Sequence, residues 1–478
     1  MSDMNGKELP EGWKWVRLGD IGEYINGRGF KKSEWSDNGL PIIRIQDLTG
    51  TGKEQNFYNG VIDERHIVKT GDLLISWSAT LGAFIWDGPE AALNQHIFKV
   101  KSLVDKKLHF YIIKDILDKL YRQAHGSGMV HITKTKFDAI PILIPETLDQ
   151  QKQIVAKIEE LFSHIDAGIA ALKQAKLLLK QYRQSVLKAA VTGELTKEWR
   201  EANRDKLEPA SKLLERILKE RREKWEEQQM ADFKKKGKVP KDDTWKAKYR
   251  EPAGVKDAEG LPELPDGWAW VSVDQAGDSQ DQVVLTGPFG SNLGKEDFTK
   301  SGIPVLTIGC LQEDGIKLSR AMFVSKLKSE DLIRYKLKVG DLLFSRMAAV
   351  GRVGFVTSEF EGALFNYHIM RLRLHPDAIL QKYFVFYVRG SSQVFDYVRE
   401  VNHGATRDGI NTQQLLEMPV AFPPIEEQKE IEKIVDNKLI SIRRVEVEIE
   451  RHLLKAERTK QSILAAAFSG KLVGCKNE

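Results

Sequence analysis

Apolar residues recur at alternating steps of four and three along two stretches of the chain. In the first, Ile154, Ile158, Leu161, Ile165, Gly168, Leu172, Ala175, Leu179, Tyr182, Val186 and Ala189 form a seam sustained over about five heptads. In the second, Ile431, Val435, Lys438, Ile442, Val445, Ile449, His452, Ala456, Thr459, Ile463 and Ala466 form a less pure one, interrupted by Lys438, His452 and Thr459. The pattern predicts two helices of about 40 residues, each spanning roughly 60 Å, longer than a compact domain uses alone. The preferred reading pairs them with each other, antiparallel; the alternative lays each on the surface of its own domain. Both stretches follow a proline-containing segment, and both end near a glycine, Gly193 and Gly470, where a C-cap belongs. Glu426 and Glu427 open the second, which suits the helix dipole.

The residues ahead of each seam read differently. Pro41-Ile-Ile-Arg-Ile45 and Pro304-Val-Leu-Thr-Ile308 are short runs rich in β-branched residues, as strands are. Gly71-Asp-Leu-Leu-Ile-Ser76 and Gly340-Asp-Leu-Leu-Phe-Ser345 read as turns entering strands, and residues 108–123 and 379–398 as helices. These pairs belong to a duplication. Leu9-Pro-Glu-Gly-Trp-Lys-Trp15 returns as Leu264-Pro-Asp-Gly-Trp-Ala-Trp270, Asn94-Gln-His-Ile97 as Asn366-Tyr-His-Ile369, and Gln184-Ser-Val-Leu-Lys-Ala-Ala190 as Gln461-Ser-Ile-Leu-Ala-Ala-Ala467. The separation drifts from 255 residues at Leu9/Leu264 to 272 at Asn94/Asn366. It is then 277 at both Gln151/Gln428 and Gln184/Gln461. Surface loops tolerate insertion, whereas one residue inserted in a packed helix turns every later side chain by about 100°. The fixed separation therefore coincides with the seams.

The fold class predicted is α+β: two mixed α/β domains in tandem, separated and connected by two long antiparallel helices. The divisions are 1–149, a first domain; 150–192, the first helix; 193–262, a charged arm; 263–424, a second domain; and 425–478, the second helix. The arm is mostly charge, and residues 234–250 hold eight Lys or Arg against two Asp. It reads either as a solvated helix and flexible linker, or as an arm gripping DNA phosphate or a partner subunit.

Composition removes several function classes. Two cysteines, Cys310 and Cys475, exclude a disulfide framework and a Cys-based zinc site. No apolar run is long enough to cross a bilayer, and no basic flank leads an apolar N-terminal segment, so a cytoplasmic setting is expected. The net charge of +5 is compatible with nucleic acid without arguing for it. There is no P-loop, no Asn/Asp-Pro-Pro-Tyr/Phe, no Gly-x-Gly-x-x-Gly after a strand, no His-Glu-x-x-His and no Gly-x-Ser-x-Gly. Glu427-Gln-Lys429 touches a nuclease pattern but lacks an acidic partner nearby and reads as helix-start chemistry. Two domains on a long spacer without a catalytic constellation make a binding device.

In this order the chain resembles the specificity subunit of type I restriction-modification enzymes. The resemblance is carried by the Leu-Pro-Glu/Asp-Gly-Trp openings, the Gly-Asp-Leu-Leu strands and Pro424-Ile-Glu-Glu-Gln428. Most specific is Arg183-Gln-Ser-Val-Leu-Lys-Ala-Ala-Val-Thr-Gly-Glu-Leu-Thr-Lys-Glu-Trp199, echoed by Lys460-Gln-Ser-Ile-Leu-Ala-Ala-Ala-Phe-Ser-Gly-Lys-Leu472. It implies that each domain is a target recognition domain reading one half of a split double-stranded DNA sequence. The helices would fix the gap and dock two methyltransferase subunits, and restriction subunits would join that core. The subunit itself would be no catalyst and hold no cofactor; S-adenosylmethionine, ATP and Mg would belong to the partners. A self-sufficient restriction or methylation enzyme and a coiled-coil adaptor that binds no DNA are the rival readings.

The duplication also sorts candidate DNA contacts. Residues shared by both halves cannot make the halves read different bases, so Asn94, His96, Asn366 and His368 suit framework or phosphate contact. Base readers belong where the copies differ. Arg44 and Gln46 face Thr307 and Gly309 in the alignment, Trp77 and Ser78 face Arg346 and Met347, and Ala83 faces Arg352. Met129, His131, Thr133 and Lys134 lie in the stretch opposite Arg407, Asp408, Asn411 and Thr412. Gln95 and Tyr367 differ inside a shared turn, and Ser76 and Ser345 adjoin Trp77 and Arg346 in sequence. Arg28, Lys31, Lys32, Ser291 and Asn292 lie in or beside glycine-rich loops that allow close backbone approach to DNA. Arg suits guanine and Asn or Gln suits adenine in bidentate geometry. An ordinary exposed loop is the competing reading at each.

Overall fold

The structure, a computed structural model, describes residues 9–52, 54–77, 80–123, 134–240, 242–256, 258–278, 282–290, 292–347, 350–402 and 409–472. It divides into two compact units, Met1–Ala175 with Val447–Glu478, and Lys176–Glu446.

In the first unit, strand Trp13–Arg17 pairs antiparallel with Pro141–Pro145. An antiparallel sheet runs in the order Gly22–Asn26, Ile97–Ser102, Leu73–Ser76, Gly82–Ile85. A second sheet runs Phe57–Tyr58, Leu40–Ile43, Ala91–Leu93, Ile67–Val68, and its central pair is parallel. The second unit repeats this plan. Ala269–Ser272 pairs with Pro419–Phe422; one sheet runs Val284–Thr286, Ile369–Leu372, Leu342–Ser345, Val353–Phe355; the other runs Phe298–Thr299, Met322–Val324, Ile303–Leu306, Leu364–Phe365, again with a parallel pair. A hairpin, Leu311–Gln312 with Gly315–Ile316, is added. The strands that follow Gly71-Asp72 and Gly340-Asp341 are apolar without interruption because each is covered on both faces. Leu73 and Ile75 enter one core while Leu74 enters another, and Leu342 and Phe344 are divided from Leu343 in the same way.

The long helices are Leu148–Val191, 44 residues, and Ile425–Ala467, 43 residues, about 65 Å each. In the first unit the start of one joins the end of the other: Ile154, Val155 and Ile158 share a core with Leu464 and Ala467, and Lys460 pairs with Asp166. In the second unit the roles reverse: Val186, Leu187, Ala190 and Val191 share a core with Ile431 and Val435, and Arg183 pairs with Glu446 at 2.8 Å. The pairing is therefore antiparallel. The seam follows the sequence pattern at most positions and departs from it at five. Gly168, Tyr182, Val445, His452 and Thr459 are exposed, while Ile169, Arg183, Glu446, Leu453 and Lys460 are shielded. At these five the expected position has given way to its next neighbour, because 3.6 residues per turn leaves two adjacent positions competing for one seam place. This phase brings Arg183, Glu446 and Lys460 onto the contact line and explains its ion pairs.

Each helix end is closed by the other copy's opening motif. Gly193 has φ +76, and a Cβ there would lie 2.5 Å from Pro265 Cγ; Gly470 has φ +73, and its Cβ would lie 2.3 Å from Pro10 Cγ. Glycine is thus required twice over, by the left-handed cap and by the proline packed on it. The helix starts are tied by glutamines. Gln151 Oε1 accepts from Asp105 N–H at 2.9 Å and its amide donates to Pro145 O at 3.1 Å. Gln428 Oε1 accepts from Leu380 N–H at 2.9 Å and its amide donates to Ala378 O and Pro423 O at 2.8 and 3.0 Å. Beside Gln428, the buried Glu427 carboxylate accepts from Arg200 at 2.6 Å, Thr196 at 2.7 Å and Trp268 Nε1 at 2.9 Å. The nuclease-like Glu427-Gln-Lys429 is structural.

Two other expectations need correction. Residues 379–398 form two helices, Gln381–Gly390 and Ser392–Asn402. The break follows Gly390, whose Cβ would lie 2.5 Å from the Leu187 carbonyl oxygen of the first long helix. The charged arm holds the expected helix, but its start is buried rather than solvated. It contains the helices Lys197–Asn203 and Ala210–Lys235, and Ala210, Leu213 and Ile217 are buried in the second unit's core. Among the described residues no helix is long and apolar enough to cross a membrane.

Candidate nucleic-acid interface

In each unit three turns converge at one end of the antiparallel sheet. In the first unit Gly27 N–H donates to Ile97 O at 3.1 Å, Arg28 N–H to Leu93 O at 2.9 Å, and Trp77 N–H to His96 O at 3.3 Å. In the second unit Gly287 N–H donates to Ile369 O at 3.2 Å and Arg346 N–H to His368 O at 3.0 Å. The glycine loop, the hairpin turn and the Asn-x-His turn thus form one surface in both copies.

The shared residues build this frame. Ser76 and Ser345 are fully buried: Ser76 Oγ donates to Thr80 O at 2.6 Å, and Ser345 Oγ accepts from Arg352 N–H at 2.8 Å. Both lock the hairpin turn and have no surface to offer a base, so they leave the candidate set. Asn94 Oδ1 accepts from Gln95 N–H at 2.8 Å, and Asn366 Oδ1 accepts from His368 N–H at 3.2 Å; both fold the turn on itself. The glycines also serve the frame. A Cβ on Gly27 would lie 2.0 Å from the Asn94 carbonyl oxygen, and one on Gly287 would lie 2.3 Å from that of Asn366. The chain's own backbone, not DNA, requires glycine there.

Some differing residues are also committed inward. Arg28 pairs with Glu34 and lies over the rings of Phe30 and Tyr58, at 4.9 and 4.8 Å. A hydrogen bond to Tyr58 leads the causes that push its pKa up. Arg44 pairs with Asp47 at 3.5 Å, donates to Glu54 O at 2.6 Å and lies over Trp35 at 5.8 Å, which folds its own loop. Thr307 Oγ1 donates to Arg320 O at 2.9 Å. Asn411 caps the helix Thr412–Leu416, its Oδ1 accepting from Gln414 N–H at 2.9 Å, and the Thr412 hydroxyl meets that of Thr286 at 3.2 Å. Arg346 is half-buried beside His368, whose pKa is lowered by burial and then by Arg346.

What remains exposed differs between the copies. The first presents Gln95 and His96, whose side chains meet at 3.2 Å, beside half-buried Trp77, which stacks on Phe98. Lys31, Lys32 and Gln46 are exposed on neighbouring loops, and Lys134 is exposed while pairing with Asp138 at 2.6 Å. The second copy presents Asn292, Arg352 and Tyr367, with Tyr367 stacked on Phe289 at 5.9 Å. Phe289, 54% exposed, was not among the sequence candidates. Its signal was an aromatic residue set in the loop Gly287-Pro-Phe-Gly290, where no core can use it. Ser78, Met129, His131, Thr133, Ser291, Arg407 and Asp408 lie outside the described residues.

Residues 10–175 and 290–451 match the family model of the type I restriction modification DNA specificity domain. The Escherichia coli type I restriction enzyme EcoBI specificity subunit is 24% identical over 97% of this chain and 87% of its own length. The EcoKI specificity subunit of Escherichia coli K12 is 25% identical over 98% and 91%. A chain from a solved type I R-M system, described for its complex assembly and conformational transition, superposes with a TM-score of 0.61 at 16% identity, covering 97% of this chain and 99% of that one. The matched residues fall in both units, and the protein therefore belongs to the type I restriction-modification DNA specificity family, as a non-catalytic subunit with two target recognition domains.

Proposed function

We propose that each recognition domain reads one half of a bipartite duplex target through its three converging turns. The first domain, within residues 1–149, uses Trp77 and Gln95, with His96, Lys31, Lys32 and Lys134 toward phosphate. The second, within residues 263–424, uses Arg352, Tyr367, Phe289 and Asn292. The supporting observation is at one surface: the shared Ser, Asn and Gly residues fold the turns, and Gln95, Asn292, Arg352 and Tyr367, which differ between the copies, stand exposed. Base edges carry sequence while phosphate contacts hold register. A frame shared by both copies with interchangeable exposed side chains meets that division.

The paired helices serve as the spacer that sets the gap between half-sites, as dimer geometry sets half-site spacing in other DNA-binding proteins. Two methyltransferase subunits dock on the pseudo-symmetric core, restriction subunits join them, and the assembly works in the cytoplasm. S-adenosylmethionine, ATP and Mg are bound by those partners. Inserting one heptad into each long helix, at matching points of the seam, tests the spacer. The methylated motif is expected to keep both half-sites and acquire a different gap, or methylation to cease. A motif with its original gap refutes it.

A further inference from the structure

The charged arm holds cations that the recognition turns do not use. Its main helix, Ala210–Lys235, is 26 residues long, about 39 Å. The start is seated in the second unit's core, and Arg221 donates to the carbonyl oxygen and carboxylate of Asp274. Farther out, the returning turn Asp243–Lys248 lays Trp245 on the helix. Trp245 stacks on Trp225 with centroids 5.9 Å apart and meets Phe233 edge-on at 5.9 Å, while Tyr249 packs on Trp225 at 5.3 Å. The aromatic residues thus hold the far end of the helix in a fixed fold.

Charge changes character along this helix. On the shaft, Arg216 pairs with Glu208 and Glu220, Lys219 with Glu223, Arg222 with Glu226 and Glu251, and Lys246 of the returning turn with Glu226 and Asp243. At the tip, Lys234, Lys235, Lys236 and Lys238 are all exposed around the turn at Gly237, φ +62, and none has an acidic partner among the described residues. Four like charges held in so short a span repel one another and are relieved by a dense anion. Met230 and Val239 are exposed beside these lysines, but lysine predominates at the tip, whereas protein interface cores are depleted in Lys and enriched in aromatic residues, and the aromatic residues here pack along the arm itself. Lysine is a point charge without the fork that reads base edges, which suits rows of phosphate.

We propose that the tip of this arm, Lys234, Lys235, Lys236 and Lys238, is a sequence-independent clamp for the phosphate backbone of duplex DNA, separate from the two recognition surfaces. The clamp adds affinity through released counterions and leaves the choice of sequence to the turns.

The test replaces all four lysines with alanine in the full chain, assembled with its methyltransferase subunits. Anisotropy of fluorescein-labelled duplexes, one carrying the methylated motif and one of random sequence, is measured across a KCl series. The slope of log affinity against log salt is expected to fall by about 3–4 for both duplexes, at roughly 0.9 per phosphate contact. The corresponding Lys→Arg variant is expected to keep the slope, and the methylated sequence to stay unchanged. An unchanged slope, or a loss confined to the motif-bearing duplex, overturns the proposal. So does impaired assembly with the methyltransferase subunits at unchanged salt dependence, which would place a protein on the tip.

Discussion

His109 makes the first recognition domain acid-sensitive at a position where the second carries Phe384. The ring is fully buried, with Nε2 2.8 Å from the Tyr24 hydroxyl and Nδ1 3.0 Å from Ser102 Oγ. Burial lowers its pKa from 6.5 to about 4. The unfolded chain therefore takes up the proton first as pH falls. Stability from this site is intact above pH 6.5, declines between 6.5 and about 4, and falls no further once the native ring protonates as well. The two values correspond to about 3 kcal/mol over that window, to an order of magnitude. The second copy supplies a control: Lys107 pairs with Glu159 and Lys382 with Asp436, and two residues beyond each lysine stand His109 and Phe384. Hydrogen exchange followed by mass spectrometry, corrected for the intrinsic pH dependence of exchange, is expected to show strand Ile97–Ser102 losing protection from pH 7 to pH 5 more than strand Ile369–Leu372. His109→Phe is expected to flatten that difference while costing a constant amount for the hydroxyl it leaves unpaired. An equal loss in both strands, or a slope that survives His109→Phe, refutes the reasoning.

Two further outcomes follow from the frame. Glu427→Ala leaves Arg200, Thr196 and Trp268 without their shared acceptor, and denaturant unfolding is expected to show a loss of about 3–5 kcal/mol. Glu427→Gln, which installs the residue of the first copy at Gln150, is expected to cost less. Gly27→Ala drives a Cβ against a backbone carbonyl, and is expected to cost about 1–3 kcal/mol and to degrade the first half-site selectively, read as a relaxed methylation motif. Gly287→Ala is expected to do the same to the second half-site.

The duplication carried most of the architecture into the sequence, because paired motifs and a fixed separation survive where loops vary. The phase of the helix seam was legible at most positions and misread at five. Apolar content ranked Val445 above Glu446 and Tyr182 above Arg183, whereas the packed helices favour the neighbours that can pair across the contact. The break in the helix predicted over 379–398 depended on Gly390 meeting Leu187, a contact just over two hundred residues away in sequence. At the recognition surface, sequence comparison separated the copies but could not tell an exposed arginine from one folded inward. Arg28 and Arg44 are held by carboxylates, carbonyls and rings of their own loops, whereas Arg352 is exposed. Ser76 and Ser345 adjoin the reading turns in sequence yet sit beneath them.

The central claim is that each domain reads its own half-site with exposed, copy-specific side chains. Methylome sequencing of cells whose only specificity subunit carries Arg352→Ala together with Tyr367→Ala tests it most directly. The account predicts a motif relaxed at one or more bases of a single half-site, with the other half-site and the gap unchanged. A motif altered in both halves, altered in its gap, or not altered at all contradicts it.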